Sequence, residues 1–115
     1  KSKTKENLNS FKFRLRRSLS CDQLYQLIHF QLFPAGIPKK TGKGVMQCIH
    51  FSEHNEHRIQ IRIEHSFIYV EYVYIIDGMI QYIENTNPCD ELTHYLLLET
   101  RNQLKHILRQ NNYIK

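Results

Sequence analysis

Cysteine is scarce in this chain of 115 residues: Cys21, Cys48 and Cys89 are widely spaced and form no CxxC pair. An odd count without clustering fits reduced thiols better than a disulfide framework, which makes an intracellular setting the expectation. Long apolar runs are missing as well. None reaches the ~18 residues that a membrane-spanning helix needs, so no transmembrane segment is expected.

The signatures of common enzyme chemistry are also lacking. The sequence has no G-x-S-x-G, no H-E-x-x-H and no dinucleotide-binding fingerprint, and its acidic residues are few and scattered. The stretch at residues 34–44, PAGIPKKTGKG, holds three of the four glycines. It fails the Walker spacing because Lys43 is followed by Gly44 where a serine or threonine is required. Cys48, His50, His54 and His57 lie close in sequence but lack the paired spacings of a zinc finger. A non-enzymatic protein with neither cofactor nor structural metal is therefore the expectation.

What is present is ordinary globular material. Aliphatic and aromatic residues make up 41% and charged residues 23%, with a formal net charge of +5. That length and composition suit one hydrophobic core. Residues 1–10 begin as a basic, apolar-poor stretch and read as a flexible tail, and residues 11–115 read as a single α+β domain.

From Phe11 the chain alternates strictly. Phe11, Phe13 and Leu15 fall on one face and Lys12, Arg14 and Arg16 on the other, followed by Arg17, which predicts a half-buried strand with a basic outer face. Ser20 with Gln23 three positions on forms a capping box, and Leu19 and Leu24 stand where a hydrophobic staple packs. The spacing predicts a helix from there to Phe33, ended by Pro34, and then a long basic loop over residues 34–44.

A second strand is expected over residues 45–52. Residues 58–64 alternate again, with Ile59, Ile61 and Ile63 opposite Arg58, Gln60, Arg62 and Glu64. A turn at His65-Ser66 keeps strand lengths within the usual range. Residues 67–76 then lead to Asp77-Gly78, a strong hairpin dipeptide. That turn pairs Ile76 with Met79, Ile75 with Ile80, Tyr74 with Gln81, Val73 with Tyr82, and Glu71 with Glu84. The last helix is expected to begin at Asn87-Pro88 and run to Gln110, with Leu97, Leu104, Ile107 and Leu108 inward.

The expected fold is thus α+β: an antiparallel sheet of four to five strands with two helices, in the order β-α-β-β-β-β-α. Both faces of the 67–83 hairpin carry apolar and aromatic residues, and the helices can cover only one. The favoured function is an interaction or assembly module that binds a protein partner, or a second copy, through Tyr69, Tyr72, Tyr74 and Tyr82 and a helix surface at Tyr95 and Leu96. An alternative is an RNA- or DNA-binding module using Lys12, Arg14, Arg16, Arg17, Lys39, Lys40 and Lys43. The RNP1 pattern is absent, and Glu71 disfavours phosphate on its face. A second alternative places the same cations on an anionic membrane surface.

Overall fold

The computed structural model describes residues 10–34, 36–41, 48–49, 57–76, 79–82 and 91–115. Its elements in chain order are β1 (Ser10–Arg14), α1 (Cys21–Ile28), β2 (Lys40–Thr41), β3 (Cys48–Ile49), β4 (His57–Glu64), β5 (Phe67–Ile76), β6 (Met79–Tyr82) and α2 (Glu91–Gln110).

The sheet differs from the expected one. β5 pairs along one edge with β4, from Glu64↔Phe67 to His57↔Tyr74. Its other edge is shared. β1 takes the first part, from Arg14↔Phe67 to Ser10↔Glu71, and β6 takes the last, from Val73↔Tyr82 to Ile76↔Met79. Among the described residues the sheet is therefore at most three strands across, β1-β5-β4 at one end and β6-β5-β4 at the other, and not four to five. A strand has only two edges, so β1 and β6 must lie in tandem.

A second correction concerns the stretch after α1. Within the expected loop, Lys40–Thr41 pairs with Cys48–Ile49 as a separate two-stranded ladder, which adds a strand to the expected order. The expected strand at residues 45–52 is described only at Cys48–Ile49.

The hairpin register over Val73 to Ile76 is the one read from the sequence. Asp77-Gly78, Glu84 and the Asn87-Pro88 start of the last helix lie outside the described residues. Glu71, expected opposite Glu84, faces Ser10 on one side and Gln60 on the other. The His65-Ser66 turn is present, and His65 adopts a φ of 57°. That left-handed conformation is usual for glycine and is enriched in histidine among other residues.

α1 starts as its sequence signals. Ser20 Oγ accepts from Gln23 N–H at 3.0 Å, and Gln23 Oε1 accepts from Ser20 N–H at 2.8 Å, which completes the capping box. Leu19 and Leu24, the staple pair, are both buried. The helix ends at Ile28, earlier than the expected Phe33. The residue before a proline is disfavoured in helical conformation. Phe33 instead exchanges two backbone hydrogen bonds with Gly36 and turns its ring into the core.

Registration places Phe11, Val70 and Ile61 in one row across the inner face and Phe13, Ile68 and Ile63 in the next, with Tyr72 beside Ile59. These residues form one cluster with Leu24 and Ile28 of α1 and Leu97, Leu104 and Leu108 of α2. Both helices thus serve the same face of the sheet.

α2 closes with a Schellman motif. Tyr113 N–H donates to Leu108 O at 2.9 Å and Asn112 N–H to Arg109 O at 3.1 Å, while Asn112 sits at a φ of 64°. Asparagine is the usual substitute for glycine at this left-handed position. The turn brings Tyr113 and Ile114 back into the core.

Two substitutions test this packing. Leu104→Ala should lower the unfolding free energy by about 2–5 kcal/mol through the cavity it leaves. Asn112→Val, which places a β-branched side chain at positive φ, should cost about 1–2 kcal/mol. Urea unfolding of both variants measures these losses, and a Leu104→Ala variant as stable as the native chain would refute the assigned core.

Candidate functional site

The outer face of the sheet is read from the same registers. One row is Ser10, Glu71 and Gln60, the next is Lys12, Tyr69 and Arg62, and the third is Arg14, Phe67 and Glu64. The first row is buried at its centre, with Glu71 4% and Gln60 0% exposed. Toward the third row the face opens: Lys12, Arg14 and Glu64 are exposed, and Phe67 and Tyr69 are half-buried.

A carboxylate at Glu71 requires compensation at that depth. Arg62 supplies it, donating from Nε to Glu71 Oε2 at 2.6 Å, while Gln60 Nε2 donates to the same oxygen at 3.0 Å. Arg62 also pairs with Glu64, and its guanidinium lies over the Tyr69 ring at 4.1 Å from the centroid. The charge of Arg62 is therefore neutralised within the fold, and Tyr69 is partly roofed by it.

Lys12 and Arg14 are placed differently. They stand over the Phe67 ring, with Lys12 Nζ 4.6 Å and Arg14 Cζ 5.4 Å from its centroid. Across the strand, on the helix side, Arg101 Cζ lies 4.6 Å from the Phe11 centroid and Lys105 Nζ 6.0 Å from that of Phe13. Cations therefore flank β1 on both of its faces.

A comparison with protein families, with characterised proteins and with solved structures gives no match.

The residues proposed from sequence are dispersed by the fold. Tyr72 is buried in the core against Ile59, so its ring is no part of an outer aromatic surface. Tyr69 lies on the opposite face. Tyr74 and Tyr82 hold their register in the hairpin, and their side chains lie outside what is described. Tyr95 is exposed, whereas Leu96 packs against the core.

Among the cations, Arg16 is exposed and its N–H donates to Tyr113 O at 2.8 Å. Arg17 holds the end of α2: Nη2 donates to Asn111 O at 2.8 Å, Nε to Asn112 O at 3.3 Å, and the guanidinium stacks over Tyr113 at 3.9 Å. Lys39 is exposed, and Lys43 lies outside the described residues. Lys40 Nζ donates to Asp22 Oδ1 at 2.7 Å, and that hydrogen bond raises the lysine pKa above its ordinary value. Lys12, Arg14, Arg16, Arg17 and Lys39 carry no described ion pair to an acidic side chain, and of these Arg17 is committed to the carbonyls that end α2.

Sequence reasoning missed two features. One is the position of Arg101 and Lys105 against the rings of β1, because nothing local tells that α2 crosses there. The other is a group of exposed apolar residues after α1, namely Phe30, Leu32 and Ile37, of which the expected longer helix would have placed the first two otherwise. Among the described residues, no cluster of three or more His, Cys, Asp or Glu side chains suits a metal ion. The Cys48, His50, His54 and His57 side chains fall outside that description. No described helix is long and apolar enough to cross a membrane.

The buried ion pair yields a measurable coupling. Arg62→Met leaves Glu71 with an uncompensated charge and should cost about 3 kcal/mol. Combined with Glu71→Gln, the loss should be smaller than the sum of the two single losses by at least ~1 kcal/mol. A double-mutant cycle in urea measures this, and strict additivity would show that the two side chains act independently.

Proposed function

We propose that this protein is a non-enzymatic interaction module whose primary partner is another protein, docked on the apolar surface formed by the tail of α1 and the start of α2. The supporting observation is the exposure of large apolar side chains on those two segments. Phe30 is 66% and Leu32 73% exposed on one, Leu92 67% and Tyr95 56% on the other. Single exposed apolar residues are unremarkable on a protein surface, but two pairs of large ones on neighbouring segments support a docking site.

The two segments are tied to one helix. Gln103 Nε2 donates to Leu32 O at 3.1 Å, which fastens the tail of α1 beside the middle of α2. Leu92, Tyr95, Glu99 and Gln103 follow one another at three- and four-residue steps and so share a stripe of α2. Tyr95 and Gln103 are eight positions apart, or about 12 Å along the axis. The apolar groups therefore stand at two ends of one helical stripe, a span that a partner helix or a small domain face can cover.

A second reading rests on a different observation. Lys12 and Arg14 are both exposed in adjacent rows over Phe67, next to exposed Arg16, which is a surface that could follow a polyanion such as single-stranded RNA or DNA. Glu64 in the same row weakens that surface for phosphate, so the protein-partner reading is the principal one.

The test uses Leu32→Glu with Leu92→Glu. Both side chains are exposed in the monomer, so the double variant should keep its fold by circular dichroism and lose the native associations that the unaltered chain makes in pull-down and solution mass measurements. Retention of every native association by the folded variant would overturn the proposal. Binding to single-stranded RNA with a steep salt dependence, reduced by Lys12→Ala and Arg14→Ala, would favour the second reading instead.

A further inference from the structure

We infer that the outward edge of β1 is an acceptor site for an extended acidic peptide of a partner protein, which adds to the sheet as a further strand. The inference rests on the reading of the chain as a protein-binding module but uses a different surface. It begins with the direction of the peptide groups. Leu15 N–H donates to Ser66 O at 2.8 Å, toward β5, whereas Arg16 N–H donates away from it, to Tyr113 O at 2.8 Å.

In a strand, the N–H and C=O of one residue point to the same side and those of the next to the other. Counting back from Arg16 by twos therefore aims the peptide groups of Arg14 and Lys12 outward. Among the described strands β1 pairs with β5 alone, and none lies on its other side. The contact of Arg16 with Tyr113 shows that this edge already takes main chain from another segment at its C-terminal end. Lys12 and Arg14 continue the same row.

Charge then selects the occupant. Lys12 and Arg14 line the outer side of the edge and Arg101 and Lys105 the helix side, each over a ring of Phe67, Phe11 or Phe13. Two residues along a strand span about 6.8 Å. One turn of α2, which separates Arg101 from Lys105, spans about 6 Å. Both cationic rows thus match the repeat of an added strand, whose alternate side chains fall to the two faces. Glutamate or aspartate on either face meets cations.

A second copy of this chain fits poorly, because pairing β1 with β1 brings Lys12 and Arg14 into proximity with their own kind, and like charges across a ladder are destabilising. A nucleic-acid strand satisfies the charges but offers no row of donors to the outward carbonyls of Lys12 and Arg14. An acidic peptide supplies both.

The experiment measures fluorescence anisotropy of a short blocked peptide of alternating glutamate and threonine with the full chain at low salt. Saturable binding is expected. Methylation of alternate backbone amides of the peptide should weaken it by about tenfold or more, since two hydrogen bonds are lost. Lys12→Pro should give a similar loss, because it removes an outward donor and leaves the β5 ladder, which the Lys12 N–H does not join, in place. The methylated probe leaves the protein untouched, so the test stands even if that variant fails to fold.

Equal binding of the methylated and unmethylated peptides, or no binding of either, would overturn the inference. So would an oligonucleotide of equal charge that binds tighter and is displaced by no peptide, or self-association of the chain that Lys12→Glu abolishes. The Leu32→Glu, Leu92→Glu variant should bind the peptide as the native chain does. Loss of native partners with peptide binding intact would leave both readings standing. Retained partners with peptide binding intact would remove only the apolar docking surface.

Discussion

The two edges of β5 are the constraint on which the molecule depends. One is filled by β4 along most of its length and the other is divided between β1 and β6. Because side chains alternate along every strand, this one arrangement settles two surfaces together. Ile68, Val70 and Tyr72 go inward with their partners, and Phe67, Tyr69 and Glu71 go outward. A register shift of a single residue would send the first set to solvent and the second into the core. The helices follow from that choice, since both bury their apolar stripes against the same inner rows.

The outer face separates structural charge from charge that can serve a partner. Arg62 is committed to Glu71 and Glu64, and Arg17 to the carbonyls that end α2. Removing either would alter the fold before it altered binding. Lys12 and Arg14 are exposed over Phe67 and make no described ion pair. The net positive charge of the chain is thus an unreliable guide to its function taken whole. Its distribution is more informative, because it concentrates cations without a described ion pair beside a strand edge that has no described strand neighbour.

An open edge is ordinarily a hazard, since unpaired peptide groups invite association with other strands. Lysine and arginine on β1 discourage pairing between like copies, and the same residues favour an acidic strand. Protection and recognition are therefore not competing explanations for the alternation at residues 11–16. Both arise from cations fixed at the repeat of the strand.

Much of the fold was legible locally. The Ser20–Gln23 capping box, the alternation of β1 and β4, the hairpin register of β5 and β6 and the inward leucines of α2 all depend on residues near one another in sequence, where period and capping chemistry decide. The width of the sheet was not legible, because nothing in β1 or β6 says that both take the same edge of β5. The early end of α1 was missed for a similar reason: Phe33 leaves the helix to fill a core whose shape is set by distant strands. Alternation put Tyr72 and Tyr74 on one face of the hairpin and Tyr69 and Tyr82 on the other but left open which face is covered, and the packing of the helices sends Tyr72 to the core and Tyr69 to the outer face. By itself the sequence determined most of the segments that become strands and helices, though neither the end of α1 nor the short ladder after it, and it determined which side of the long elements is apolar. Only the tertiary structure decided which cations are neutralised, which strand edge is left without a described strand neighbour and which aromatics are buried, because those outcomes depend on contacts between residues far apart in the chain, such as Arg17 with Asn111.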